Sequence, residues 1–360
     1  IKSGNYQDLV VTALDEILVR ANRESGLKST IVALRQRIAE LETQLGRHAR
    51  EADAQTAEPE SGPASRTRML TDLARRLATG DTTLPTYPEI ATRVRDLSEQ
   101  PDCSVPRLAS LIAQDAAISA KLLTLANSAL HRASNKVVTV EQAIGRLGTT
   151  TTLSMVDMVA NRSLYLHARR AWLPLFEQLW QESLACAWAC RLIGNKLGLP
   201  AADQVFSVGL LHNVGKLLLL QALAEISPEA DCLKSVEGVR DVQDFIGKYQ
   251  SRFGAALLKC WKLGQVFVDA AMYAEHPDKA PAFTKELLVV HLGHRLSRYK
   301  DAPSFRNDLE QDPASRFLDL QGPDLEQIHD ATFKVVAACN AQMGSGSRRA
   351  NASRAQEARQ

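Results

Sequence analysis

Apolar positions along this chain recur with the period of a helix almost throughout. From Leu27 they fall at Ile31, Leu34, Ile38, Leu41 and Leu45, four and three residues apart by turns, with Arg35, Arg37, Glu40 and Glu42 on the flanks. This is an a/d seam of roughly three heptads. Upstream, Val10, Leu14, Ile17 and Ala21 form a similar stripe, which Arg20, Glu24 and Gly26 interrupt. Residues 1–46 therefore read as an amphipathic helix that either packs on its own domain or self-associates as a coiled coil through 27–45. Residues 47–66 hold no large apolar side chain and read as a linker, because nothing in them can bury a face.

Helical patterns then follow one another with short breaks. Met69 to Thr79 predicts a short helix stopped by Gly80, and Pro88 suits the first turn of the next. Ser104 is placed to cap a helix with Pro106 just inside it, and Asp115 to open another whose Ile118, Leu122, Leu125 and Ala129 share a face. Thr139-Val-Glu-Gln142 spells a capping box, with Gly148 as the stop. Longer helices are predicted near 149–167, 171–198 and 202–224, then near 241–248, 251–261, 265–274, 283–298 and 324–342. No alternating strand occurs, so the fold class is all-α. Residues 343–360, small and polar with Arg348, Arg349, Arg354 and Arg359, read as a disordered tail.

Composition narrows the functional classes. Hydrophobic content is 45% and aromatic content 5%, which is ample core material for helices. Lys and Arg number 43 against 41 Asp and Glu, so no net field favours nucleic acid. Arg162, Arg169 and Arg170 around Tyr165 and His167 are the one place where basic and aromatic residues interleave, and they read as solvated helix ends. No apolar run approaches the ~20 residues of a membrane helix, and Ile1-Lys-Ser-Gly-Asn-Tyr6 lacks the zones of a signal peptide. The six cysteines are scattered without a CxxC pair, which suits reduced thiols. Cytoplasmic localisation is the expectation, with neither nucleic acid nor membrane as partner. Phosphate loops, dinucleotide fingerprints and serine-nucleophile elbows are absent from the sequence.

One segment carries chemistry: Gly209-Leu-Leu-His-Asn-Val-Gly-Lys216. A His-Asp pair here would offer an imidazole and a carboxylate to a metal, but the second position is Asn213, and an uncharged amide is the poorer ligand. With Leu84-Pro-Thr-Tyr-Pro-Glu89, Leu125-Ala-Asn-Ser-Ala129, Glu141-Gln-Ala-Ile-Gly-Arg-Leu-Gly148 and Leu179-Trp-Gln-Glu-Ser-Leu-Ala-Cys-Ala187, it resembles the HDOD domain over about residues 82–300. That family is a catalytically degenerate relative of the HD phosphohydrolases in bacterial signalling proteins. The resemblance implies two helical subdomains, 67–168 and an HD-like 169–342.

It also implies where metal ligands would fall in an HD enzyme. The first His position holds Glu182, the His-Asp pair is His212-Asn213, and the later Asp position holds His294. A further His position near Gly254 falls on Gln or Ser, and a His-His after Tyr273 survives only as His276, preceded by Glu275. These are read as vestigial positions, with no catalytic residue, no metal and no cofactor, and Lys216 as a candidate anion contact. His212 is expected to bond to Asn213, a backbone carbonyl or Glu182. Cys186 and Cys190, one helical turn apart among apolar neighbours, read as core.

Three functions remain open on this reading. The first is a non-catalytic signalling scaffold with a protein partner, in a pathway the resemblance ties to two-component or cyclic di-GMP signalling. The second is a metal-dependent phosphohydrolase with a rebuilt ligand set. The third is a sensor whose old pocket binds a small phosphorylated molecule.

Overall fold

The structure, a computed structural model, describes residues 87–98, 100–127, 135–166, 169–200, 202–227, 229, 233, 236–299 and 305–357. The expected coiled-coil helix, the linker and the helix at 69–79 lie outside the described residues. Among those described, every regular element is helical.

The N-terminal half comprises α1 (Glu89–Ser98), α2 (Val105–Ile112), α3 (Ala116–Ala126), α4 (Val140–Leu147) and α5 (Thr149–Arg162). Its boundaries follow local chemistry. Asp115 accepts from Ile118 N–H at the start of α3, and Thr139 and Gln142 close a reciprocal capping box at the start of α4. Gly148, at φ +79°, makes the corner between α4 and α5 that a side chain would resist. Ser104 stands at the N-cap of α2 without a side-chain cap bond, so Pro106 supplies the start signal there.

The C-terminal half is built round α6 (Leu173–Lys196). Against it lie α7 (Ala202–Leu211), α11 (Lys285–Arg298) and α14 (Gly322–Glu357); α8 (Val214–Ile226), α9 (Val236–Cys260) and α10 (Gln265–Tyr273) pack in sequence beside them. The short α12 (Phe305–Glu310) and α13 (Pro313–Phe317) lead into α14. Small side chains let these helices come close. A Cβ on Gly209 of α7 would lie 2.7 Å from Cys190 Sγ, and one on Gly293 of α11 would lie 2.6 Å from the same atom. Cys186 and Cys190 are both fully buried, with sulfurs 3.8 Å apart.

Several boundaries differ from the sequence reading. The helix expected at 202–224 is two helices, broken at His212-Asn213. The two expected at 241–248 and 251–261 are one, since Gln250 and its neighbours pack within α9 rather than turning. The last helix runs to Glu357, past the 343–360 boundary assigned to a tail; its alanines, arginines and Gln356 are good helix formers once a preceding helix supplies the nucleus. One stretch, Gln204–Glu225, has the length and apolarity to cross a membrane, but 89% of its apolar window is buried inside the protein. Its composition therefore matches a core element.

Candidate functional site

The break between α7 and α8 places the informative motif at a junction. His212 and Asn213 form the turn, both buried, and Asn213 C=O accepts from Lys216 N–H at 2.9 Å as α8 begins. Helices α8 and α9 cross immediately after it: a Cβ on Gly215 would fall 1.9 Å from Gln250 O and 2.7 Å from Gly254 N. The motif glycine is thus a packing requirement. This crossing brings Gln250 towards the site, while α10 ends just before Glu275 and α11 carries His294.

These side chains form two hydrogen-bonded pairs that face one another, His212 with His294 and Gln250 with Glu275. His212 Nδ1 lies 2.6 Å from Gly209 O, and His212 Nε2 lies 2.9 Å from His294 Nδ1. A carbonyl only accepts, so His212 carries its proton on Nδ1 and its Nε2 accepts from His294 Nδ1–H. The remaining ring atom, His294 Nε2, stands 3.6 Å from Glu275 Oε1. Glu275 Oε1 accepts from Gln250 Nε2 at 2.8 Å. Burial pushes the His212 imidazole well below its ordinary value, and the neighbouring His294 and Lys216 push the same way. His294 is also lowered, chiefly by burial. Glu275 is held down to about 2, most strongly by His294, with Lys216 and Gln250 adding to the effect.

Of the positions singled out from sequence, the structure brings together His212 and His294 in direct contact, with Asn213 beside them and the Lys216 charge acting on both rings. Two others stand apart. Glu182 accepts from Gln178 Nε2 at 2.9 Å on its own helix; both His212 nitrogens are already occupied, so the backbone carbonyl proves to be the partner among those expected. His276 is exposed. Its chain neighbour Glu275 enters the site instead, because the chain leaves α10 there and the two side chains diverge. Sequence reasoning passed over Glu275, and Gln250 figured only as a lost histidine. Neither carries a periodic signal, since Glu275 follows a helix end and Gln250 sits at a crossing. His291 belongs to a different cluster, with Nδ1 2.7 Å from Ala274 O and Nε2 2.9 Å from Asp312 Oδ2. Against burial, His291, the Ala314 N–H and Arg295 hold Asp312 down to about 2.

An HD-type metal does not fit these residues. His212 has no free ring nitrogen, Asn213 offers an amide, and the Asp position carries a histidine engaged on its Nδ1. Among the described residues, no group of three or more His, Cys, Asp or Glu side chains could hold a metal ion. Three buried atoms here lack a hydrogen-bond partner: Asn213 Nδ2, Gln250 Oε1 and His294 Nε2. Arg162, from the basic and aromatic cluster noted in sequence, is engaged with Glu177, as Arg95 is with Asp157 and Arg107 with Asp102.

Known proteins give this geometry a lineage. An HDOD domain protein of unknown function from Geobacter sulfurreducens superposes with a TM-score of 0.61 at 23% identity, covering 77% of this chain and 99% of that one. A Shewanella amazonensis protein provisionally named a metal-dependent phosphohydrolase gives 0.60 at 24% identity, covering 78% and 99%. An uncharacterised Treponema pallidum protein is 25% identical over 228 residues; the match takes in 61% of this chain and 42% of that protein. The chain thus spans under half the length of that curated relative. The model of the HDOD domain matches residues 84–277, more than half the chain and all of the site but His294. The chain belongs to the HDOD domain family.

Proposed function

We propose that this protein is a non-catalytic signalling module, a helical scaffold that binds a protein partner. The observation that carries this reading is the His212–His294 hydrogen bond. It occupies the ring atoms that a hydrolytic metal would need and turns them into a link between the α7–α8 turn and α11. A solved HDOD-like fold from Marinobacter aquaeolei, at 18% identity and a TM-score of 0.52, bears a provisional signal-transduction name, which agrees with the reading. Self-association through 27–45 and a cyclic di-GMP-linked pathway are further parts of the proposal, as is a cytoplasmic location. Elemental analysis of protein purified without chelator, with a phosphohydrolase assay on mono-, di- and cyclic dinucleotides, tests it. Absence of stoichiometric metal and of turnover is expected. Bound metal with turnover lost in His212→Ala would establish the alternative, a phosphohydrolase with a rebuilt ligand set.

Ligand sensing is a second reading, favoured by the three unpartnered polar atoms beside Lys216. A small polar molecule, a phosphorylated one with Lys216 as its anion contact, would satisfy them. Thermal-shift screening against nucleotides tests this, because a ligand that binds only the folded state raises stability by mass action. A flat response across the set at millimolar concentration would remove it.

A further inference from the structure

Helix α5 is an unusual core helix. Nine of its fourteen residues are buried, and five of these, Thr151, Thr152, Ser154, Asp157 and Asn161, are polar. Its sequence, Thr-Thr-Thr-Thr-Leu-Ser-Met-Val-Asp-Met-Val-Ala-Asn-Arg, is dominated by residues of modest helix propensity. Thr152 Oγ1 bonds back to Gly148 O at 2.8 Å, and Asn161 Nδ2 to Asp157 O at 2.8 Å. Such back-bonds compete with the helical ladder and loosen it. By contrast, the centre of α6 from Leu184 to Cys190 is an unbroken apolar run, buried throughout.

This weak helix lies at the joint of the molecule. It packs on α1, α3 and α4 from the N-terminal half and on α7 from the C-terminal half. The joint is fastened by arginines that each lie over an aromatic ring of the C-terminal half. Arg95 donates to Asp157 Oδ2 at 2.9 Å and lies 5.3 Å from the Phe267 ring centre. Arg191 donates to Thr151 Oγ1 at 2.9 Å over Trp188, and Arg162 to Glu177 Oε2 at 2.6 Å over Trp180. Asp157 also accepts from Tyr87 OH at 2.9 Å and Ser207 Oγ at 2.7 Å. Even so, Arg95 Nη1 and Asn161 Oδ1 are buried without a hydrogen-bond partner.

The energetic consequence is a seam that opens cheaply. Separating an apolar seam loses its whole burial term, whereas separating a polar one returns charges and hydroxyls to water. Met155, Val156 and Met158 keep α5 docked at rest. We propose that α5 is the moving part of this fold: it undocks from the seam in a sub-global opening while α6, α7 and α11 stay packed, so that the two halves change their relation there. This device stands apart from the question of whether the module hydrolyses anything.

Hydrogen exchange by mass spectrometry on the intact protein, across a series of sub-denaturing urea concentrations, tests it. Peptides covering 149–162 are expected to exchange at least tenfold faster than peptides covering 183–193, with a weaker urea dependence than global unfolding. Equal protection and equal urea dependence in the two helices would overturn the proposal. Thr152→Val removes a fully buried hydroxyl bonded only within its own turn. Slowing confined to 149–162 supports a local opening, and a uniform change in both helices, or none, counts against it.

Discussion

The crossing of α8 and α9 yields the sharpest quantitative expectation. Gly215 lies inside the motif that resembles a catalytic signature, so its replacement separates a packing role from a chemical one. In Gly215→Ala the new Cβ would stand 1.9 Å from Gln250 O and 2.7 Å from Gly254 N. Ordinary carbon–oxygen contacts begin near ~3.3 Å, so the backbones must part by roughly 1.4 Å. Both obstacles are main-chain atoms, and no rotamer change relieves them. Overpacking of this kind costs about 1–3 kcal/mol and occasionally more, against a helix-propensity gain of about 1 kcal/mol. A rigid obstacle belongs at the upper end, for a net loss of about 2 kcal/mol. At ~2–4 °C per kcal/mol for a body of this size, Tm should fall by roughly 4–8 °C in thermal unfolding followed by circular dichroism. Gly145→Ala is the control, because a Cβ there meets nothing within 4 Å and its φ is not left-handed. That variant should gain about 0.4–1 kcal/mol. A Gly215→Ala protein as stable as Gly145→Ala would refute the packing account of the motif.

Other expectations follow from the same contacts. His212 and His294 titrate lower in the folded protein than when unfolded, so their contribution is complete above about pH 6.5 and is lost as pH falls below it. Stability from urea unfolding should drop between pH 7.5 and 5.5 by up to ~1.4 kcal/mol per pH unit for each ring, and a His212→Gln/His294→Gln protein should show a flatter profile; a flat wild-type profile contradicts this. Asp157→Ala leaves the buried Arg95 without its carboxylate and should cost about 3–5 kcal/mol, while Asp157→Ala combined with Arg95→Met should cost less than the sum of the single changes. Additive losses in that double-mutant cycle would show that the pair is not coupled. Thr139→Ala removes one arm of the capping box and should cost about 0.5–2 kcal/mol in chemical denaturation; no change would mean the box is idle.

Local chemistry made much of the fold legible. Asp115, the Thr139–Gln142 box and Gly148 act within a few residues of themselves, and the structure places a boundary at each. Illegible were features that need a second segment. Nothing near His212 announces that α7 ends at Leu211, because the turn is held by Gly209 behind it and His294 across from it. The sequence placed Glu182 and His276 among the vestigial positions by alignment to a motif, and a motif carries no information on which side chain turns inward. Glu275 and Gln250 enter because a helix end and a helix crossing happen to face each other, and the period of α5 does not announce that its buried polar side chains find partners on α1, α6 and α7.

By itself the sequence determined the all-α class, most helix starts and the loss of the His-Asp pair, since helical period, capping and residue identity are properties of short stretches. Only the tertiary structure decided what the loss left behind. Two histidines far apart in the chain, one in a turn and one on a helix, share one hydrogen bond, Glu275 takes the place that His276 was given, and a polar helix lies at the joint between the halves. Those outcomes depend on which backbones can approach each other, and the glycines at 209, 215 and 293 set that approach only once their partners are in place.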